Sequence, residues 1–232
     1  METHPFIPLQ TLPVDPAQSM ERAEGYYELM DRRRSVRHFS DRPVARALVE
    51  RLLLTASTAP SGAHKQPWTF CAVSDPSVKA AIRRGAEREE YEGYHGRMGA
   101  AWLNDLAPFG TTWEKPFLET APWLVVVFKR LWETQDDTRR KCYYVNESVG
   151  IATGILISAI HQAGLVTLTH TPSPMQFLQE ILGRPDNERP FLLLPVGYPA
   201  EGAQVPRLQR KPLDQVAVFY ESPEGRRDDR DR

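Results

Sequence analysis

From Val145 to Gly164 the chain reads "VNESVGIATGILISAIHQAG", a helical pattern with apolar residues nearly all round and a glycine to end it. A surface helix of a small domain carries one apolar stripe, and this one carries too many for a single covered face. One face is therefore expected to meet a second subunit. The run is broken by Ser158, His161 and Gln162 and is too short to span a bilayer.

The segments around this helix supply the sheet. "WTFCAVS" (68–74) places Trp68, Phe70 and Ala72 on one side, as a strand does. "PWLVVVFK" (122–129) and "PFLLLPVGYP" (190–199) are compact apolar runs of the kind covered on both faces. "LVTLTHTP", from Leu165, adds a short strand. Further helices are expected from a Ser19 cap to about Arg33, from Val44 to about Ser57, and over "PMQFLQEILG" (174–183). Another opens at Asp75, with Pro76 in its first position, and frays at Gly93, Gly96 and Gly99. Residues 1–18 read as an extended proline-rich arm, 19–221 as one domain, and 222–232 as a charged, disordered tail. Interleaved helices and buried strands give an α+β class.

The 232 residues carry 29 Lys and Arg against 30 Asp and Glu, so no global field draws the chain to nucleic acid or to an anionic membrane. Cys71 and Cys142 form neither a metal spacing nor a disulfide framework, which points to a reducing, cytoplasmic setting. The N-terminal stretch has no basic cluster followed by an apolar core and does not read as a signal peptide. The six histidines show no metal-ligand spacing, and His161, on the apolar helix, reads as a satisfied core or interface residue. No Walker loop, G-x-G-x-x-G, H-E-x-x-H or G-x-S-x-G is present.

Two polar stretches remain. "RRRSVRHF" gathers Arg32, Arg33, Arg34 and Arg37 around one serine, either a solvated turn or a phosphate site, since guanidinium forks match phosphate oxygens. "EREEYEGYHGRMG" (87–99) offers little to a core. Glu90 and Tyr94 are four apart and share a helix face. Glu87 has Arg83 and Arg84 as helical neighbours and Glu92 has Arg88, whereas Glu90 and Glu89 have no basic residue three or four away. The glycines cost a helix about 1 kcal/mol each. A lid over roughly residues 88–116, ordering on a bound substrate, is expected.

"RRSVRHFSDRPV" followed by "TAPSGAHKQPWTF" resembles the entry of the FMN-dependent nitroreductase superfamily. With "EYEGYHGRMG", "WEKPFL", "ESVGIATGILISA", "LGRP", "PVGYP" and "VPRLQRKPLD", the ordered set from about Met30 to Leu213 resembles the iodotyrosine deiodinase family. The resemblance implies a nitroreductase-like fold, a central mixed β-sheet flanked by helices, with FMN at the interface of an intertwined homodimer. It implies that Arg33, Arg34, Ser35, Val36 and Arg37 hold the FMN phosphate and ribityl chain and approach the ring, with Ser61 and Arg210 as further contacts. Thr169, His170 and Thr171 would pass the flavin, the Thr171 hydroxyl bonding N5 as the catalytic contact and favouring one-electron steps. The Ala63 N–H would meet the substrate phenolate, and Glu90, Tyr94 and Lys115 would grip the ammonium and carboxylate of an amino acid. His170 stands where the family usually has threonine, and the segment after Pro172 is slightly short.

The implied function is reductive dehalogenation of halogenated tyrosines, releasing halide and tyrosine. An external reductant, NAD(P)H or a reductase, would supply the electrons, without nucleic acid and without the membrane anchor of animal members. The alternative is a general FMN nitro- or quinone reductase using NAD(P)H. A non-catalytic binder of flavin or amino acid is a third reading.

Overall fold

The computed structural model describes residues 7–13 and 15–220; the start of the N-terminal arm and the tail expected from residue 222 lie outside the described residues. Strand β2 (Trp123–Arg130) is apolar on both faces because both are covered. It pairs antiparallel with β1 (Trp68–Val73) on one side and β6 (Glu188–Gly197) on the other. A short β5 (Val166–Thr167) completes the order β1–β2–β6–β5. The ladders are antiparallel, and the parallel component of this mixed sheet is a bridge between Ser35 and Thr167.

Val125 and Val127 pack with Val49 and Leu52 of α2 (Arg46–Ala56) and with Ala152, Leu156 and Ile160 of α6 (Val145–Gln162). Leu124, Val126 and Phe128, on the other face, meet α3 (Pro76–Glu92), α5 (Phe117–Thr120) and α7 (Gln176–Ile181) through Ile82, Leu118 and Phe177. One strand thus feeds two cores, which is why its sequence lacks the alternation of a half-exposed strand.

The expected helix boundaries hold where capping chemistry is strong. Asp75 accepts hydrogen bonds from the Ser77 and Val78 amides, Pro76 follows it, and α6 gives way to Gly164 at φ +74°. Helix α1 (Pro16–Asp31) begins before the expected Ser19. Asp15 is the cap, accepting from the Gln18 amide at 2.8 Å, with Pro16 at the first position, while the Ser19 hydroxyl donates to the Asp15 carbonyl. His161 donates from Nε2 to the Leu29 carbonyl at 2.8 Å, so its polar atom is satisfied against α1. Where α3 crosses α7, Gly85 lies so close to Phe177 that a Cβ would sit 2.3 Å from the ring.

Two features were not expected from the sequence. A hairpin of β3 (Trp132–Gln135) and β4 (Thr138–Lys141) turns on Asp136 and Asp137, both at positive φ. A short helix α4 (Ala100–Leu106), with no buried residue, lies within the stretch expected to form a lid. Among the described residues no helix is long and apolar enough to cross a membrane.

Candidate active site

The basic segment is held to the sheet by its backbone. Val36 is buried and donates its N–H to the Thr167 carbonyl at 3.2 Å, while Ser35 faces out and Arg37 is half-buried. Arg33, Arg34, Ser35 and Arg37 line a cavity of about 240 Å³ with Phe109, Pro206, Leu208, Gln209 and Arg210. An adjoining hollow of about 350 Å³ shares Ser35, Arg37, Phe109 and Pro206. Arg34 donates to the Pro206 carbonyl. Arg210 spends its fork on the Asp31 carboxylate (2.8 Å) and on the Asp31 and Arg33 carbonyls (both 2.9 Å), bracing the wall. Burial and then the charges of Arg210 and Arg34 lower the pKa of Arg33, and burial lowers that of Arg37. Crowded guanidiniums of this kind favour an anion with several oxygens, so the cavity fits the phosphate end of FMN.

The three residues expected to bind a zwitterion come together. Glu90 lies near the end of α3, Tyr94 in the π-helical turn Gly93–Arg97 that follows, and Lys115 just before α5. Lys115 Nζ is 3.4 Å from Glu90 Oε2 and donates to the Thr111 hydroxyl at 3.3 Å and to the Thr112 carbonyl. The Tyr94 hydroxyl donates to the Thr111 carbonyl at 3.1 Å, and its ring centroid is 5.6 Å from Nζ. Lys115 is only 3% exposed. Burial lowers its pKa and raises that of Glu90, in each case opposed by the partner's charge. Arg37 acts on Tyr94, Lys115 and His170, so the cavity and the zwitterion set are electrostatic neighbours.

The glutamates of 87–92 are sorted by the fold. Glu89 pairs with Arg97 at 2.9 Å, and Arg88 reaches Glu89 rather than Glu92. Glu87 pairs with Arg83 and also accepts the Lys115 amide, both at 2.7 Å, a latch between α3 and the far end of the stretch expected to form a lid. That latch was not foreseen: the Arg83 spacing is visible in the chain, the amide 28 residues on is not. Thr169 and Thr171 are exposed, while His170 between them is buried and faces Glu90 and Lys115.

Ser61 and Ala63 lie in another set of contacts. Ala63 (φ 49°), His64 (φ 54°) and Gln66 (φ 45°) are left-handed, and the Ser61 hydroxyl accepts the Gln66 amide at 2.9 Å. Gly62 donates to the Ser148 hydroxyl at 3.4 Å, and a Cβ there would lie 2.9 Å from the Tyr143 carbonyl. Lys65 pairs with Glu133 of β3. The loop is thus bound to the start of α6 and to the hairpin.

Residues 30–198 match the model of the nitroreductase family. The chain is 61% identical over 216 residues to an iodotyrosine deiodinase of Haliscomenobacter hydrossis, covering 93% of this chain and 97% of that one. It is 47% identical over 205 residues to iodotyrosine deiodinase 1 of Homo sapiens, covering 87% and 70%. Among solved structures, oxidized iodotyrosine deiodinase bound to FMN and 3-iodo-L-tyrosine superposes with a TM-score of 0.72 at 33% identity, covering 85% of this chain and 99% of that one.

Proposed function

Because the chain belongs to the iodotyrosine deiodinases of the nitroreductase family, we infer that it uses FMN to remove halide reductively from halogenated tyrosines, releasing tyrosine. The observation that carries this reading is the largely buried group of Glu90, Tyr94 and Lys115, an acid, a phenol and an amine converging beside the arginine-lined cavity. Nothing in a general nitro-compound calls for both an acid and an amine at that place; an amino acid does. Bound FMN would supply the electrons.

Arg33, Arg34, Ser35 and Arg37 would hold its phosphate and ribityl chain, with Arg210 bracing them. Val36 would set the segment's height above the sheet, and Thr169 and the backbone around His170 would flank the ring. Thr171 would keep a proton at N5. Ser61 would contact the flavin, and the Ala63 N–H would hold the phenolate, which halogenation favours by acidifying the ring hydroxyl. Glu90 would take the ammonium while Tyr94 and Lys115 take the carboxylate, closing residues 88–116 as a lid that excludes water.

The Ser61–Ala63 loop and the arginine cavity sit in different groups of contacts, and we assign their meeting to a homodimer. An apolar groove of about 590 Å³ between α1, α2 and α6, lined by Leu52, Ile151, Ile155 and Ala159, supports that reading. So do Val218, Phe219 and Tyr220, exposed at the end of the described chain. Residues 19–221 then act as one domain in a cytoplasmic enzyme reduced by NAD(P)H or a reductase.

Lys115→Ala tests the reading. Turnover of iodotyrosine should fall by roughly a hundredfold in kcat/KM while nitroaromatic reduction is unchanged. Equal loss of both activities, or loss of neither, would turn the reading toward a general nitro- or quinone reductase.

A further inference from the structure

We propose that His170 is a positioning residue for Glu90: its imidazole N–H orients the carboxylate that receives the substrate ammonium. The proposal rests on the assignment of Glu90 given above.

The backbone of His170 exchanges two hydrogen bonds with Leu193 of β6, at 2.9 and 3.0 Å. That pairing turns Thr169 and Thr171 outward and the imidazole inward. The ring stands edge-on to Phe117, with centroids 5.9 Å apart. Its Nδ1 is 3.8 Å from Glu90 Oε1, while Lys115 addresses the other oxygen. Among the described residues, Nε2 is the one buried side-chain nitrogen or oxygen with no hydrogen-bond partner. Glu90 is therefore the polar neighbour that decides the tautomer. An ionised carboxylate only accepts, so the hydrogen belongs on Nδ1 and the lone pair on the dry Nε2. Burial, with the charges of Lys115 and Arg37, holds the pKa at about 3, so the ring is a neutral donor and does not compete with the ammonium.

The arrangement matters during substrate entry. Lys115 pairs with Glu90 now, yet the incoming carboxylate draws it away, and Glu90 lies in a desolvated place. His170 is fixed to the sheet and stays behind. At 3.8 Å the pair lies outside hydrogen-bond distance without substrate, and orienting the carboxylate requires closure over the amino acid to bring it within reach.

The test uses the FMN-loaded enzyme and two probes, 3-iodotyrosine and 3-iodo-4-hydroxyphenylpropanoate, which lacks the ammonium. Binding is read from quenching of flavin fluorescence. His170→Leu should weaken iodotyrosine about tenfold and leave the propanoate unchanged, as loss of a donor to a charged group predicts. His170→Asn, whose amide N–H stands near the place of Nδ1–H, should restore most of the affinity. Equal weakening of both probes, no weakening, or an asparagine variant no better than leucine would overturn the proposal. Glu90→Gln is the control for the assignment beneath it. If that change fails to discriminate between the probes, Glu90 is not the ammonium partner, and the role of His170 falls with it.

Discussion

In the unfolded chain the His170 ring takes up its proton near the usual 6.5, and in the fold that value lies at about 3. Between the two the unfolded state binds more protons, so this residue's stabilisation is complete above 6.5 and is lost as pH falls through the window. His170→Thr should remove that loss. Its unfolding free energy should drop about 2 kcal/mol less than the wild type's between about pH 7 and pH 5, measured by urea titration at each pH. Parallel slopes would contradict a buried neutral ring. The same residue marks the limit of what local sequence carries. "LVTLTHTP" was legible as a short strand, of which β5 keeps Val166–Thr167, and "TLTHTP" by resemblance as a flavin contact, but which side chain turns inward depends on pairing with Leu193, 23 positions from His170. Glu90 was likewise inseparable from Glu89 by local spacing, because their partners, Lys115 and Arg97, lie beyond one helical turn.

Elements whose ends carry their own chemistry were read well: the Asp75–Pro76 start of α3 and the Gly164 stop of α6 are local events. The β3–β4 hairpin was missed because Asp136–Asp137 is a weaker turn signal than a glycine pair, although both residues adopt the left-handed conformation such turns need. The reason for Gly85 lies in another helix and leaves no mark on its own. Alanine there would gain about 1 kcal/mol of helix propensity. The Phe177 ring, 6% exposed, has little room to retreat from a contact of 2.3 Å, and overpacking of that kind costs about 1 to 3 kcal/mol. Gly85→Ala should therefore lower the urea midpoint with an unchanged m-value; a raised midpoint would mean that α7 slides freely on α3.

For the whole molecule, the apolar excess of α6 was legible from residues 145–164, and the groove beside Ile151 is where it emerges. Ile151, 46% exposed, should be covered in the proposed dimer. Ile151→Glu should give a monomer by light scattering, with FMN lost on gel filtration; a dimer of normal flavin content would place the interface elsewhere. The proposed lid carries a last consequence. Helix α4 buries none of its residues, and the stretch around it is fastened outside its ends, by Arg97 to Glu89 and by the Lys115 amide to Glu87. A cover without a core has no reason to stay shut over an empty site. Between substrates a reduced cofactor would stand bare to dioxygen and leak its electrons, so the halogenated amino acid, by closing the cover, would shield the reducing power it is about to consume.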